Sequence, residues 1–314
     1  MRPLEGCLVL DFSTLLPGPL ATLLLAEAGA EVIKIERPGA GDMPSLAELN
    51  RGKRCLVLDL KQPDDHRQLQ PLLARADVLV EQFRPGVMDR LGLGYEDVAA
   101  INPTIVYCSI TGYGQKGPKS GVAGHDLNYI AETGLLSLSM GTPSQPVIPP
   151  VLIADIAGGS YPAVMNILLA LRERERTGRG RHLDVSMTDN LFTLMYGRSV
   201  VTGGSARYRL YATKDGRMLA VGALEQKFWD TFCELINLEQ PLRDDAADPS
   251  ATASRVAAIV ASETAGTWAR RIEGHDCCCS IVASVEEAMN DPHFAARAVR
   301  RQVPLDPAFR GSER

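Results

Sequence analysis

Near the N-terminus, short apolar runs alternate with stretches of helical spacing, and that alternation leaves few folds open. Leu8, Val9 and Leu10 are apolar without a break, as in a parallel strand covered on both faces. A strand is expected over 7–11, followed by a turn rich in Pro and Gly. A helix over 18–28 comes next, with Ala21, Leu24, Leu25 and Ala28 at helical spacing, and then a strand over 31–36. This is a βαβ unit. A second follows, with strands over 55–58 and 78–80 around a helix over 64–74, and 105–109 supplies another apolar run. Strands that alternate with helices in this way predict a parallel, Rossmann-like sheet flanked by helices, an α/β fold.

Such sheets bind ligands beyond the carboxyl ends of their strands, where the loops 13–19, 37–42, 82–86 and 111–124 should gather. The first loop is not a dinucleotide fingerprint. It offers only Gly18, between Pro17 and Pro19, where a pyrophosphate site needs three spaced glycines. With 38 acidic against 33 basic residues the net charge is −5, so no global basic field attracts nucleic acid. An anionic ligand must meet local cations instead. Arg37, Arg51, Lys53, Arg54, Lys61 and Arg84 lie mostly at strand ends or in these loops, which suits a ligand with several phosphates.

The N-terminus shows no charged leader before an apolar stretch, and no run of roughly 18 apolar residues stands out, so a cytosolic chain without a membrane partner is expected. Seven cysteines fit a reducing compartment. Cys7, Cys55 and Cys108 sit in apolar runs and read as small buried hydrophobes rather than as a disulfide framework. Cys277, Cys278 and Cys279 adjoin one another after His275, a spacing that does not converge on one metal, and no metal site is expected.

Further along, a helix over 158–172 leads into the charged run 172–181 and a strand ending near Val185, with a turn near Gly203. From about Tyr208 the pattern changes to a strand over 218–222, a helix over 225–237, a polar linker over 239–250 and helices over 253–262 and 266–273. The expected organisation is a large α/β domain over 1–200, a smaller α+β domain over 201–300 and a short tail over 301–314.

Three residues stand out as candidates for chemistry. His125 falls where a glycine-rich loop gives way to a helical pattern, so its ring should sit at a helix N-terminus, which favours a neutral imidazole able to accept a proton. It is equally placed simply to cap the helix. Asp155 ends the apolar segment 151–154 before Gly158, Gly159 and another helix. There it serves either as an N-cap or as a carboxyl whose pKa apolar surroundings raise. Glu225 opens a helix, where an acidic residue complements the dipole.

The motifs taken together resemble those of the family III (CaiB/BaiF) CoA transferases, and within that superfamily the alpha-methylacyl-CoA racemases. They are Leu-Pro-Gly-Pro ending at Pro19, Ile-Glu-Arg-Pro-Gly ending at Gly39, Arg-Gly-Lys-Arg ending at Arg54, Gly-His-Asp-Leu-Asn-Tyr ending at Tyr129, and Ala-Asp-Ile-Ala-Gly-Gly-Ser ending at Ser160. They occur in the same order along nearly the whole chain. The resemblance implies an acyl-CoA thioester substrate with CoA as part of it and no separate cofactor. It makes Asp155 common to both activities: a nucleophile in transferases, an acid/base in racemases. A histidine in the position of His125 marks the racemases, and Glu225 matches the glutamate that orients it. Arg37, Val57, Leu58, Asp59, Leu60, Lys61, Arg84, Gly124, Asp126, Leu127, Asn128 and Tyr129 would hold the CoA portion.

The implied reaction removes the α-proton of a 2-methyl-branched acyl-CoA on one face of an enolate and returns a proton on the other, with His125 and Asp155 as the two bases. Backbone amides around 155–160 are candidates to stabilise the enolate oxygen. The alternative is CoA transfer between an acyl-CoA and a carboxylic acid, with Asp155 as nucleophile. The family also implies a homodimer of interlocked chains in which Glu225 comes from the partner. The chain stops at Arg314, where the family continues into a tail that returns to the large domain, and its stretch over 197–209 is shorter than the family's.

Overall fold

The structure is a computed structural model that describes residues 2–39, 44–138, 145–199 and 204–297, without the side chains of 44–46. The expected tail over 301–314, the turn at Gly203 and most of the far side of the 37–42 loop lie outside the described residues. Two compact units divide the chain between Met195 and Tyr196.

In the first unit the expected βαβ pattern is realised as β1 (Leu8–Asp11), α1 (Pro17–Glu27), β2 (Glu31–Glu36), β3 (Arg54–Val57), α2 (Pro63–Leu73) and β4 (Val78–Glu81). Two short helices, α3 (Val87–Arg90) and α4 (Tyr95–Ile101), precede β5 (Val106–Thr111). There follow α5 (Asp126–Glu132), α6 (Tyr161–Thr177), β6 (Arg181–Ser186) and α7 (Met187–Leu194). The six strands form one sheet in the order β3-β2-β1-β4-β5-β6, and every pair in it is parallel. This is the doubly wound order, with a switch point between β1 and β4 where the chain's crossovers change direction.

Both faces of the sheet are covered. Val9, Val78, Val80, Val106 and Cys108 pack with Leu25 of α1 and Ile167 of α6 on one side. Leu8, Leu10 and Leu79 pack with Leu69 and Leu73 of α2 and Val98 of α4 on the other. The alternation within β1 is the strand period of two, and burial on both faces is why the run shows no polar residue. Edge strand β3 departs from this. Arg54, Cys55 and Val57 are exposed, so Cys55 is not the buried hydrophobe expected, whereas Cys108 is fully buried and Cys7 partly so.

The helical segment that contains α6 begins earlier than the expected 158. A π-helical turn, Ala154–Ser160, runs straight into α6, giving one helical segment of 24 residues. Apolar by composition and long enough to cross a membrane, this segment departs from the sequence expectation. Its inner face, Ala163, Ile167 and Ala170, belongs to the main core, while Tyr161, Met165, Leu168 and Leu169 are exposed.

In the second unit β7 (Tyr208–Ala212), β8 (Met218–Gly222) and β9 (Cys279–Ile281) form an antiparallel sheet in the order β7-β8-β9, with β7 and β8 joined as a hairpin and β9 returning from far along the chain. It packs with α8 (Gln226–Leu235), α10 (Pro249–Val260) and α11 (Ala265–Ile272), with a short α9 (Gln240–Arg243) inside the expected polar linker. Trp229, Phe232 and Trp268 are fully buried at its centre. The aromatic bulk of three side chains anchors a small core that the short strands alone would not supply.

Candidate active site

Three loops at the carboxyl ends of β1, β4 and β5 meet at the switch point, where they surround a cavity of about 420 Å³. That size suits a small-molecule pocket. Leu15 and Pro17 come from the first loop, Gln82–Pro85 from the second, and Gly112, Tyr113, Gly124, His125, Asn128 and Tyr129 from the third and its helix, with Asp155 and Met187 completing the wall.

Each of the two candidate bases is held differently. His125 is the N-cap residue of α5, extended at φ −128° and ψ 175°, and its backbone N–H donates to Asn128 Oδ1 at 3.0 Å. That bond fixes the start of the helix from the backbone, and the imidazole is exposed on the cavity wall. Tyr129, one turn on, lays its ring against the loop and donates its hydroxyl to Gly124 O at 2.6 Å. A Cβ at Gly112 would stand 2.4 Å from that ring, so only glycine permits the contact.

Asp155 is not the N-cap that its position suggested. Ile153 holds the cap position, and Asp155 lies inside the π-turn. The capping is done from outside by Asp126 of α5, a buried residue whose Oδ1 accepts from the backbone N–H of Ala154 at 2.6 Å and of Asp155 at 3.1 Å. Since Asp126 takes the free amides, the Asp155 carboxylate is left to line the cavity. The cost falls on the expected enolate stabilisers. The Asp155 amide is spent on Asp126, and the Ile156 amide donates to Leu152 O at 3.1 Å, so neither is open to a ligand.

The electrostatics follow from this crowding. Burial pushes the Asp155 carboxyl up to about 6, the negative charge of Asp126 adds to the rise, and His125 works against it. Asp126 is itself raised by burial, although its two amide bonds oppose the shift. A carboxyl raised to about 6 and an imidazole thus line the same cavity, two groups of the kind that serve as general acid and base. The π-turn is the device that brings them together. Gly158 in it packs so closely on α7 that a Cβ would stand 2.6 Å from Met187 O; insertions of this kind recur at functional sites.

The structure gathers Arg84, Gly124, His125, Asn128, Tyr129 and Asp155 around this cavity. The other residues that the resemblance linked to CoA are spread more widely. Arg37 and Lys61 are exposed beyond the ends of β2 and β3, Val57 is exposed as the last residue of β3, and Leu127 is exposed on α5. Asp59 donates its amide to Asp65 Oδ2 at 2.8 Å, ordering the start of α2, and Leu60 packs partly against the core. Leu58 and Asp126 point inward: Leu58 is a core residue and Asp126 is committed to the π-turn, so neither side chain is free for a ligand. Glu225 is exposed at the N-cap of α8, in the second unit.

Three of the expected phosphate cations are already paired. Lys53 is buried against Asp11 at 3.0 Å and also donates to Thr22 Oγ1 and Pro19 O, tying β1 to the start of α1. Arg51 bonds Glu27 and Glu48, and Arg54 bonds Glu31. Sequence spacing places a cation near a loop but does not reveal a buried carboxylate such as Asp11. Among the described residues no group of three or more His, Cys, Asp and Glu is arranged to hold a metal ion.

Known proteins place this geometry in context. The chain is 36% identical to human alpha-methylacyl-CoA racemase over 312 residues, which is 94% of this chain and 81% of the relative. It is also 36% identical to mouse succinyl-CoA:glutarate CoA-transferase over 271 residues, covering 78% of this chain and 62% of that protein. Among solved structures, Mycobacterium tuberculosis Rv3272 superposes with a TM-score of 0.84 at 31% identity, over 95% of this chain and 88% of that one. A CaiB/BaiF family protein from Brucella suis follows at 0.78 and 27%, over 94% and 88%. A racemase and a transferase thus both align with this sequence, and with the pattern of CoA-transferase family III matching residues 4–308, the chain belongs to that family.

Proposed function

We propose that the chain is an acyl-CoA racemase that inverts the α-carbon of 2-methyl-branched acyl-CoA thioesters, with His125 and Asp155 as its two bases. The observation that carries this is the pair itself: an imidazole and a carboxyl raised to about 6 on the wall of one cavity. One group takes the α-proton from one face of the substrate, and the other, protonated, delivers a proton to the opposite face of the planar enolate. In the reverse direction the roles exchange. Each positioned group supplies about 10² to 10⁴ in rate. CoA enters as part of the substrate, so the reaction calls on no resident cofactor. Arg84 on the cavity wall supplies a guanidinium for an anionic part of the ligand.

The resemblance gives Glu225 the task of orienting His125, and we place that contact in a homodimer. The exposed Tyr161, Met165, Leu168 and Leu169 on α6 supply an apolar face of the kind that association covers. CoA transfer to a free acid, with Asp155 as nucleophile, is the alternative, favoured by the identity to a succinyl-CoA:glutarate CoA-transferase. Incubation of one enantiomer of a 2-methyl-branched acyl-CoA in deuterated water separates the two. A racemase incorporates α-deuterium and scrambles configuration, whereas a transferase leaves the α-proton in place and yields an enzyme-bound thioester that hydroxylamine traps.

A further inference from the structure

Behind the substrate cavity lies a second, polar one of about 30 Å³, which has room for water. The two share Arg84 and Pro85. Glu81, the last residue of β4, is buried beside it, 3% exposed. Its Oε2 accepts from the backbone N–H of Phe83 at 2.7 Å, so this carboxyl tethers the segment 82–85, which walls the substrate cavity. Strand register sets Ser109 of β5 opposite Glu81, where its hydroxyl favours the ionised carboxylate. Ser109 Oγ also shares a hydrogen bond with His182 Nε2 at 2.9 Å. His182 is held in turn by stacking on Tyr95 and by the edge of Tyr107. Gln115 Nε2, buried and without a protein partner, lines the same cavity.

We propose that Glu81 is a positioning residue for acyl-CoA binding: ionised, and backed by Ser109 and His182, it pins the wall 82–85 through the Phe83 amide, and protonated it releases that wall. On protonation one carboxyl oxygen gains a hydrogen from solvent, and the carboxyl loses its negative charge. The Phe83 amide then loses a charge-assisted acceptor.

Burial pushes the Glu81 carboxyl up to about 7, with Asp89 of α3 and Asp184 of β6 adding to the rise and the Ser109 and Phe83 bonds opposing it. Arg84 lines the cavity from the loop and Tyr107 from β5, while Cys108, on the other face of the sheet, feels the carboxyl's charge. Burial lowers His182, which Asp184, Asp89 and Glu96 raise and Lys116 lowers, and Asp97 bears on Tyr107. The carboxyl therefore changes charge near neutrality, which the strand's apolar run did not foretell.

The inference rests on the cavity being the acyl-CoA site and is indifferent to whether racemisation or transfer follows. Calorimetric titration of the full chain with an acyl-CoA between pH 6 and 8.5 tests it, each pH in two buffers of different ionisation enthalpy. In the wild type, affinity falls about threefold or more as pH drops through 7, and binding near pH 7 releases protons. Glu81→Gln binds without that extra pH dependence and with the extra proton release gone. Ser109→Ala, which removes a bond to the ionised form, moves the midpoint upward. A Glu81→Gln protein that keeps the wild-type pH dependence, or an unmoved midpoint in Ser109→Ala, overturns the proposal. Failure of the racemase reading shows elsewhere, as absent α-proton exchange with this binding behaviour intact.

Discussion

Asp126 spends one oxygen on the backbone of the residue whose pKa it raises, so position and charge at Asp155 have a common source. Replacing Asp126 with Asn keeps an acceptor for the two amides and removes the neighbouring charge. The Asp155 carboxyl then falls from about 6 toward the ordinary carboxylate range, and the acid limb of the pH profile for α-proton exchange moves to lower pH. An unmoved limb would show that burial alone sets the shift. His125→Ala lowers exchange by about 10² to 10⁴ with acyl-CoA affinity little changed, as stopped exchange assays and calorimetry would report. Both proposed bases were legible as chemistry-bearing types at loop-to-helix boundaries. Asp126 was legible only as part of the motif around His125, because its bonds reach residues 28 and 29 positions away and no local spacing encodes them.

At the level of elements, the buried Lys53, just before β3, holds β1 through Asp11 and the start of α1 through Pro19 and Thr22. Lys53→Met leaves the Asp11 carboxylate buried without its cation and costs about 3 to 5 kcal/mol in denaturant unfolding. The double change Lys53→Met with Asp11→Leu costs less than Lys53→Met alone, because no charge remains stranded. Glu81 gives a prediction of opposite sense. Its pKa is raised from an ordinary 4.5 to about 7, so between those values the folded chain holds a proton that the unfolded chain has lost. Stability contributed there is present at low pH and is lost as pH rises toward 7. Relative to the wild type, Glu81→Gln therefore gains on the order of 1 to 3 kcal/mol on going from pH 5 to pH 8, which thermal unfolding at the two values checks. The strands of the parallel sheet were readable because burial on both faces leaves unbroken apolar runs, and β2 occupies the expected 31–36. The π-turn was not, since its extra residue follows from the fit of Gly158 against Met187. Nor was β9, whose three residues are too few to show a period.

For the whole molecule, the exposed face of α6 and the proposed role of Glu225 both call for a second copy of the chain. Sedimentation equilibrium should return twice the chain mass, and Leu169→Asp, which puts a charge on that face without touching the core, should shift the population toward monomer and lower α-proton exchange with it. A monomer of full activity would remove the dimer from the account. The doubly wound sheet follows from alternation alone, whereas activity depends on side chains that three separate loops bring to its switch point, and that convergence emerges only in the folded chain. The most direct test of the two-base claim is deuterium incorporation at the α-carbon from each enantiomer of a 2-methyl-branched acyl-CoA in deuterated water, for the wild type, His125→Ala and Asp155→Asn. The wild type is predicted to label and racemise both enantiomers, and each variant to lose racemisation; wild-type protein that leaves the α-proton unexchanged while moving CoA to a free acid would contradict it.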